Sequence, residues 1–213
     1  MATPEALSVR QRVVKRAFDL ILGGIGFVLT LPIVAVATVL ASRDTGASGI
    51  FCQERVGRYG EVFEVRKIRT MRVSDHQTTT VTASHDARIT ALGAKLRKFK
   101  IDELPQLLNV LRGEMSLVGP RPDVRGFADE LTGEDRVVLS VRPGITGMAS
   151  LAFRHEEELL ARAADPEAYN REVIWPEKVR LNRAYVENWT LMGDIRCMIA
   201  TVRSISEKEA FGA

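Results

Sequence analysis

The chain has 213 residues and a mass of 23.6 kDa, enough to bury a core and of a length that favours one domain with at most an appendage. Its 30 basic and 27 acidic residues leave a net charge of +3 and a pI near 9.0, a balance that suits an anionic partner such as a phosphate or a lipid headgroup. Cys52, Cys197, His76, His85 and His155 are scattered without metal-type or CxxC spacing, which argues against a zinc centre and reads both cysteines as buried, reduced thiols.

Residues 17–41 carry one charge, Asp19. A helix of that length covers the roughly 30 Å hydrocarbon core of a bilayer. It is too long for a signal-peptide core and lacks a small-residue cleavage site, so it reads as a retained segment. Pro32, near its middle, deletes one helical hydrogen bond, and Gly23, Gly24 and Gly26 loosen the first half, which predicts a kink. Arg10, Arg12, Lys15 and Arg16 precede the segment and Arg43, Arg55 and Arg58 follow it. The positive-inside rule then places both flanks on the cytoplasmic side. A hairpin-like helix that enters one leaflet, bends at Pro32 and returns reconciles these features; an ordinary kinked transmembrane helix is the alternative.

Residues 44–49 read as a loop, and 50–56 with 61–69 as a β-hairpin around Gly57 and Gly60. The polar stretch 74–85 reads as a mobile loop. From Arg88 the spacing of Ile89, Leu92, Leu96 and Phe99 among Lys95, Arg97, Lys98 and Lys100 predicts a basic amphipathic helix, suited to the headgroup layer beside such an anchor. Residues 103–111 continue as a short helix to Gly113, and 172–187 and 190–205 predict two more. The last carries an apolar stripe that reads as core, with Trp189 open to a second reading as an interfacial anchor.

The densest chemistry centres on Asp102 and Glu103. Neighbours on a helix point about 100° apart, so the two carboxylates can hold separate roles. Acidic residues at a helix start also have a purely structural explanation in the helix dipole. In Val118-Gly119-Pro120-Arg121-Pro122 two prolines stiffen a turn around an arginine, which suits its planar fork to a phosphate. Arg142-Pro143-Gly144-Ile145-Thr146-Gly147 repeats the theme, with backbone N–H groups able to cradle phosphate oxygens. On the strand before Thr70, Lys67 and Arg69 share one face by the period of two. No Walker loop, GxGxxG, GxSxG or HExxH occurs, which removes the corresponding hydrolase, dinucleotide and zincin readings. What remains favours chemistry on an anionic substrate at a membrane surface.

Six segments, in order, resemble the monotopic polyprenyl-phosphate phosphoglycosyl transferases, the bacterial sugar transferases: Lys15-Arg16-Ala17-Phe18-Asp19, Gln53-Glu54-Arg55-Val56-Gly57, Lys67-Ile68-Arg69-Thr70-Met71, Asp102-Glu103-Leu104-Pro105-Gln106-Leu107, Val118-Gly119-Pro120-Arg121-Pro122 and Arg142-Pro143-Gly144-Ile145-Thr146-Gly147. The resemblance implies a helix-rich α/β fold: a re-entrant membrane helix over 1–42 broken at Pro32, then a cytosolic catalytic domain over 43–213 with a small β-hairpin and amphipathic interfacial helices. It places the protein at the bacterial inner membrane among inner-leaflet phospholipids, with its site facing the cytoplasm, and admits a homodimer. It implies transfer of a sugar phosphate from a UDP-sugar donor to polyprenyl phosphate with release of UMP. Asp102 would be the nucleophile and a ligand of Mg²⁺, and Glu103 the acid/base partner. Lys67, Arg69, Arg97, Arg121, Pro122 and Arg142 would lie near the phosphates and the nucleotide.

Three departures stand out: Leu31 where the family has Ser before the proline, Met148-Ala149-Ser150 where it has Trp-Ala-Gln, and a charged insert over 154–172 expected to face the sugar. A catalytically inactive, membrane-anchored scaffold of glycan assembly is the competing reading. Nucleic acid is not an expected partner, because no recognition helix or stacking signature is present.

Overall fold

The computed structural model describes residues 6–73 and 87–210, so the loop expected over 74–85 lies outside the described residues. Helix α1, Val9–Thr45, starts at a capping box in which the Ser8 side chain accepts from the Gln11 backbone while the Gln11 side chain accepts from the Ser8 N–H. It ends at Gly46, whose φ of 71° is the left-handed conformation glycine adopts without penalty. The helix runs as one element through Pro32, where a break was expected, and past the expected boundary at residue 42.

Only one face of α1 is buried, at Lys15, Asp19, Gly23, Ala37 and Ala41. Its first arm lies against the helix of residues 106–112: space for a side chain at Gly23 and Gly26 is taken by Val110 and Leu107. Its second arm puts Ala37 and Ala41 into a cluster with Ile68 and Leu96. Between the arms, Val28 and Leu29 are 69% and 71% exposed, and Leu31, Ile33 and Val36 join them in an apolar surface that needs a cover other than water.

Strands β1 (Ile50–Val56) and β2 (Val62–Ile68) pair antiparallel from Ile50 opposite Ile68 to Val56 opposite Val62, as the sequence pattern predicts. Helix α2 spans Ala91–Lys98 and is shorter than its pattern suggests. Ile89 precedes it in a bridge to Met71, and Phe99 follows it, half exposed, so Leu92 and Leu96 alone carry its packing face. Helix α3, Gln106–Arg112, ends at Gly113 with φ 85°. Arg16 donates to the carbonyls of Val110 and Leu111, and Arg142 to that of Gly113, so two cations sit at the negative end of α3.

Strands β3 (Ser116–Val118) and β4 (Gly144–Thr146) run parallel. This pairing joins the two arginine-bearing turns: Gly119 donates to Thr146 and Gly144 to Pro120. At Gly119 and Gly144 any side chain would strike the opposing backbone, and glycine permits the approach. After β4 come α4 (Met148–Ala152), α5 (Glu156–Arg162), α6 (Pro166–Tyr169), one π-turn, α7 (Trp175–Glu187) and α8 (Leu191–Ala210). The charged insert is therefore largely helical.

The core of Val65, Leu107, Val110, Met115, Leu117, Val118 and Cys197 receives Phe18 and Phe27 of α1. Beside it, Lys15 spends its three donors on the Val118 carbonyl, the Tyr185 hydroxyl and Asp194, at 2.8, 3.2 and 2.6 Å. Asp19 accepts from the Ser116 hydroxyl and the Leu117 N–H. Trp189 is buried with Leu7, Val137, Val141 and Val186 and donates to Asp194, so it is a core residue and not an interfacial anchor. Cys52 is exposed, against expectation, because it points outward from an edge of the hairpin; Cys197 is buried as expected.

Candidate active site

Asp102 and Glu103 do not lie in the first turn of α3. They occupy a separate 3₁₀ turn, Ile101–Glu103, between α2 and Pro105. The chain enters that turn through Lys100, a non-glycine residue at φ 57°, a conformation that costs about 1 kcal/mol or more and persists where packing enforces it. Both carboxylates are thereby turned inward, and both residues are less than a tenth exposed.

Their surroundings differ. Glu103 Oε1 accepts from Lys67 Nζ at 3.1 Å and from Arg121 Nη2 at 3.0 Å. Lys67 projects from β2, opposite Phe51, and Arg121 from the turn after β3 that β4 braces. Burial pushes Glu103 upward, but Lys67, Arg121 and Lys100 outweigh it and hold the carboxyl well below its usual range. Asp102 keeps Oδ1 buried with no hydrogen-bond partner. Burial, helped by the charge of Glu103, pushes its pKa up to about 6, against the pull of Lys67, Lys100 and Arg97. One carboxylate is thus saturated with cations and its neighbour is left under-satisfied.

The other residues singled out from the sequence divide into two groups. Arg97 stands near Asp102, held by Thr70 Oγ1 at 2.9 Å and by the Met71 sulfur. Pro122 is buried and its carbonyl accepts from Arg55 at 3.3 Å. Arg69 lies past the end of β2, donates to the Ser48 carbonyl and stacks over Phe51, so it does not join Lys67. Arg142 is committed to Gly113 beside Arg16, at the far end of α3 from the dyad. Pro32 is on the exposed part of α1.

Sequence reasoning missed Arg55, Asp123 and Lys178, and gave Glu156 only as part of the charged insert. Arg55 faces Arg121, Asp123 and Glu103, and burial with the charge of Arg121 lowers its pKa. Lys178, on α7, is paired with Glu156 of α5 at 2.6 Å. Arg55 lies inside the segment 53–57, Asp123 directly follows Pro122, Glu156 belongs to the charged insert, and Lys178 carries no local signal.

Among the described residues, no group of three His, Cys, Asp or Glu side chains forms a metal cage. A divalent cation shared between one carboxylate and substrate phosphates needs no cage, and the unpartnered Oδ1 of Asp102 is the donor such an ion requires, so the residues fit Mg²⁺.

A buried, asymmetric carboxylate pair ringed by cations, next to an exposed apolar helix, defines a site for an anionic substrate. A family model described as bacterial sugar transferase matches residues 10–208, and the chain belongs to that family. It is 33% identical to a UDP-galactose-lipid carrier transferase of Erwinia amylovora, over 93% of this chain and 41% of the relative. To the exopolysaccharide production protein ExoY of Rhizobium meliloti it is 31% identical, over 90% of this chain and 84% of ExoY. A putative undecaprenyl-phosphate N-acetylgalactosaminyl 1-phosphate transferase of Bacillus subtilis shares 39% identity over 60% of this chain and 72% of its own length. The chain therefore spans about two fifths of the Erwinia relative and most of ExoY.

Proposed function

We propose that this chain transfers a sugar 1-phosphate from a UDP-sugar to undecaprenyl phosphate or a similar polyprenyl phosphate, through a phosphosugar held covalently on Asp102. The observation that carries this reading is the contrast between the dyad's carboxylates. Asp102, ionised at neutral pH yet of raised basicity and short of partners, has the character of a nucleophile.

In the first step an Asp102 oxygen forms a bond to the sugar-side phosphorus while the bond from that phosphorus to the bridging oxygen breaks, and the electron pair leaves with UMP. In the second, an oxygen of polyprenyl phosphate attacks the same phosphorus and Asp102 departs as a carboxylate, leaving the polyprenyl diphosphate sugar. Lys67 and Arg121 neutralise the diphosphate that a carboxylate otherwise repels. As they turn from Glu103 to the phosphates, Glu103 loses the charges that hold it low and becomes able to take the acceptor's proton. A bound Mg²⁺ supplies further charge neutralisation on the leaving phosphate.

The membrane reading rests on α1, the one helix among the described residues long and apolar enough to cross a bilayer; only 11% of its most apolar stretch is buried. Residues near both ends of α1 pack on the rest of the chain while the middle stands free. Pro32 falls on the face opposite the docked stripe of a helix that runs as one element from Val9 to Thr45, so a bend there, away from the proline, would carry both ends of α1 back to one side of the bilayer. Labelling single cysteines placed at the two ends of α1, in a Cys52→Ser background, tests it: same-side accessibility is expected, and opposite-side labelling refutes re-entry.

The reaction is tested by UMP release from a panel of UDP-sugars by detergent-solubilised protein with Mg²⁺. Release with at least one donor, abolished in Asp102→Asn, is expected. Unchanged turnover in that variant overturns the assignment.

A further inference from the structure

We infer that Thr70 and Met71 position Arg97 for a substrate phosphate: their side chains grip one edge of its guanidinium and leave the other edge open beside Asp102; this rests on the transferase reading above. Arg97 Nε donates to Thr70 Oγ1 at 2.9 Å, and Nη2 to the Met71 sulfur at 3.2 Å. Those two nitrogens form the lateral edge of the planar group. The end-on edge, Nη1 with the second hydrogen of Nη2, has no acceptor among the described residues. Two parallel N–H groups of that kind match two oxygens of a phosphate.

The partners hold this cation without neutralising it. Lys67 and Arg121 are both paired with the Glu103 carboxylate, whereas the hydroxyl and the thioether on Arg97 carry no charge. Among the described residues no carboxylate stands within ion-pair distance of Arg97, although Asp102 lies close enough to feel its charge. An arginine needed only to dock α2 gains more from a carboxylate than from a weak sulfur acceptor. One needed for an anionic substrate is better served by neutral partners, because the incoming phosphate then has no carboxylate to displace.

The grip is rigid because α2 is pressed onto the segment that carries it. A Cβ at Gly93 would strike the Thr70 carbonyl, so glycine alone admits this approach, and Arg97 sits four residues on, on the same helical face. The same carbonyl accepts the Thr90 N–H at 3.2 Å, and the Thr90 side chain caps α2 by accepting from the Gly93 N–H at 2.9 Å. Thr70 is buried and β-branched, which limits its rotamers, and Met71 forms a β-bridge with Ile89. Beyond α2, Lys100 donates to the Arg97 carbonyl and Glu103 to that of Lys100, so the fixed arginine and the dyad share one short run of chain.

The phosphate belongs to the donor or to the polyprenyl acceptor, and single-turnover measurement of the two half-reactions by the full-length protein separates them. The first is UMP release at donor well below saturation without acceptor; the second is discharge of the bound phosphosugar by polyprenyl phosphate. Thr70→Val removes the hydroxyl at nearly constant shape and is expected to slow at least one of them about tenfold, the size of one charge-assisted hydrogen bond, in protein that stays folded at the assay temperature. Thr70→Ser should restore most of the rate, and in an Arg97→Ala background Thr70→Val should cost nothing further. Slowed release assigns the donor diphosphate to Arg97, and slowed discharge alone assigns the acceptor phosphate; both support the inference. A folded Thr70→Val protein that runs both half-reactions at the wild-type rate, with only its thermal midpoint lowered, reduces the contact to a tether for α2 and overturns the inference. So does a Thr70→Val loss that is as large without Arg97 as with it. Should Thr70→Val fail to fold, Arg97→Lys decides, since it keeps the charge and loses the planar fork: rates near those of Arg97→Ala are expected, and wild-type rates overturn the inference. Absence of UMP release by the wild type with every donor overturns the transferase reading and this inference with it.

Discussion

Asp102 and Glu103 are adjacent in the chain and opposite in electrostatic state: the first is pushed up to about 6 by burial, and the second is held well below the usual range by Lys67 and Arg121 on one oxygen. The division follows from the turn. Lys100 in its left-handed conformation and the 3₁₀ turn after it set the two side chains apart, and Lys67 of β2 and Arg121 of the braced turn hydrogen-bond only Glu103.

The raised pKa of Asp102 is a cost to folding at neutral pH. Its folded value of about 6 exceeds the ordinary 3.8, so the folded state binds the proton more tightly, and stability falls as pH rises from about 4 to 6. About two units correspond to about 3 kcal/mol as an upper limit. Asp102→Asn, which removes the charge at constant size, should therefore raise the thermal midpoint at pH 7.5 while abolishing activity. Thermal unfolding of both forms at pH 7.5 and pH 4.5 checks this, and the gap should shrink at the lower pH.

The same carboxyl must be ionised to attack. The rate of UMP release at donor well below saturation, in the absence of acceptor, should fall below about pH 6 along a single-proton curve, while Glu103, held ionised in the free protein, adds no second step in that range. A pH series of the burst amplitude and rate reads this directly, and a midpoint near pH 4 would contradict it.

Glu103→Gln leaves Lys67 and Arg121 facing each other without their shared anion. Breaking a buried pair costs about 3–5 kcal/mol, and the partial exposure of both cations reduces that to about 2 kcal/mol here. Transfer to the lipid should suffer more than UMP release, because the proton acceptor is lost but the nucleophile is not. Single-turnover measurement of the two half-reactions separates these effects.

Lys15→Met should be strongly destabilising, by about 3–5 kcal/mol, because it strands the fully buried carboxylate of Asp194, whose other side-chain partners among the described residues are Tyr185 and Trp189. A second substitution, Asp194→Asn, should recover part of the loss in a double-mutant cycle of thermal stability.

Much of the fold is readable from local pattern. The apolar run became α1, and alternation around Gly57 and Gly60 became the hairpin with its register intact. Helix α3 stops at Gly113 because only a left-handed residue closes it there. Long-range choices were not readable. Lys67 and Arg69 share a strand face by period, but β2 ends at Ile68 and the chain turns Arg69 toward Ser48. Arg142 resembles Arg121 in its Pro-flanked setting, yet the parallel pairing of β3 and β4 sends it to the end of α3. Trp189 was ambiguous because an indole suits an interface and a core equally; its N–H found Asp194. Lys178 and Glu156 reach the site only through the packing of α7 and α5, which no short motif encodes.

The central claim is the covalent role of Asp102. Intact-protein and peptide mass spectrometry after mixing wild-type protein with a donor that supports UMP release, without polyprenyl phosphate, tests it most directly. The predicted result is one phosphosugar adduct per chain on the peptide containing Asp102, discharged when polyprenyl phosphate is added. Stoichiometric UMP release with no adduct, or an adduct on any other residue, would contradict it.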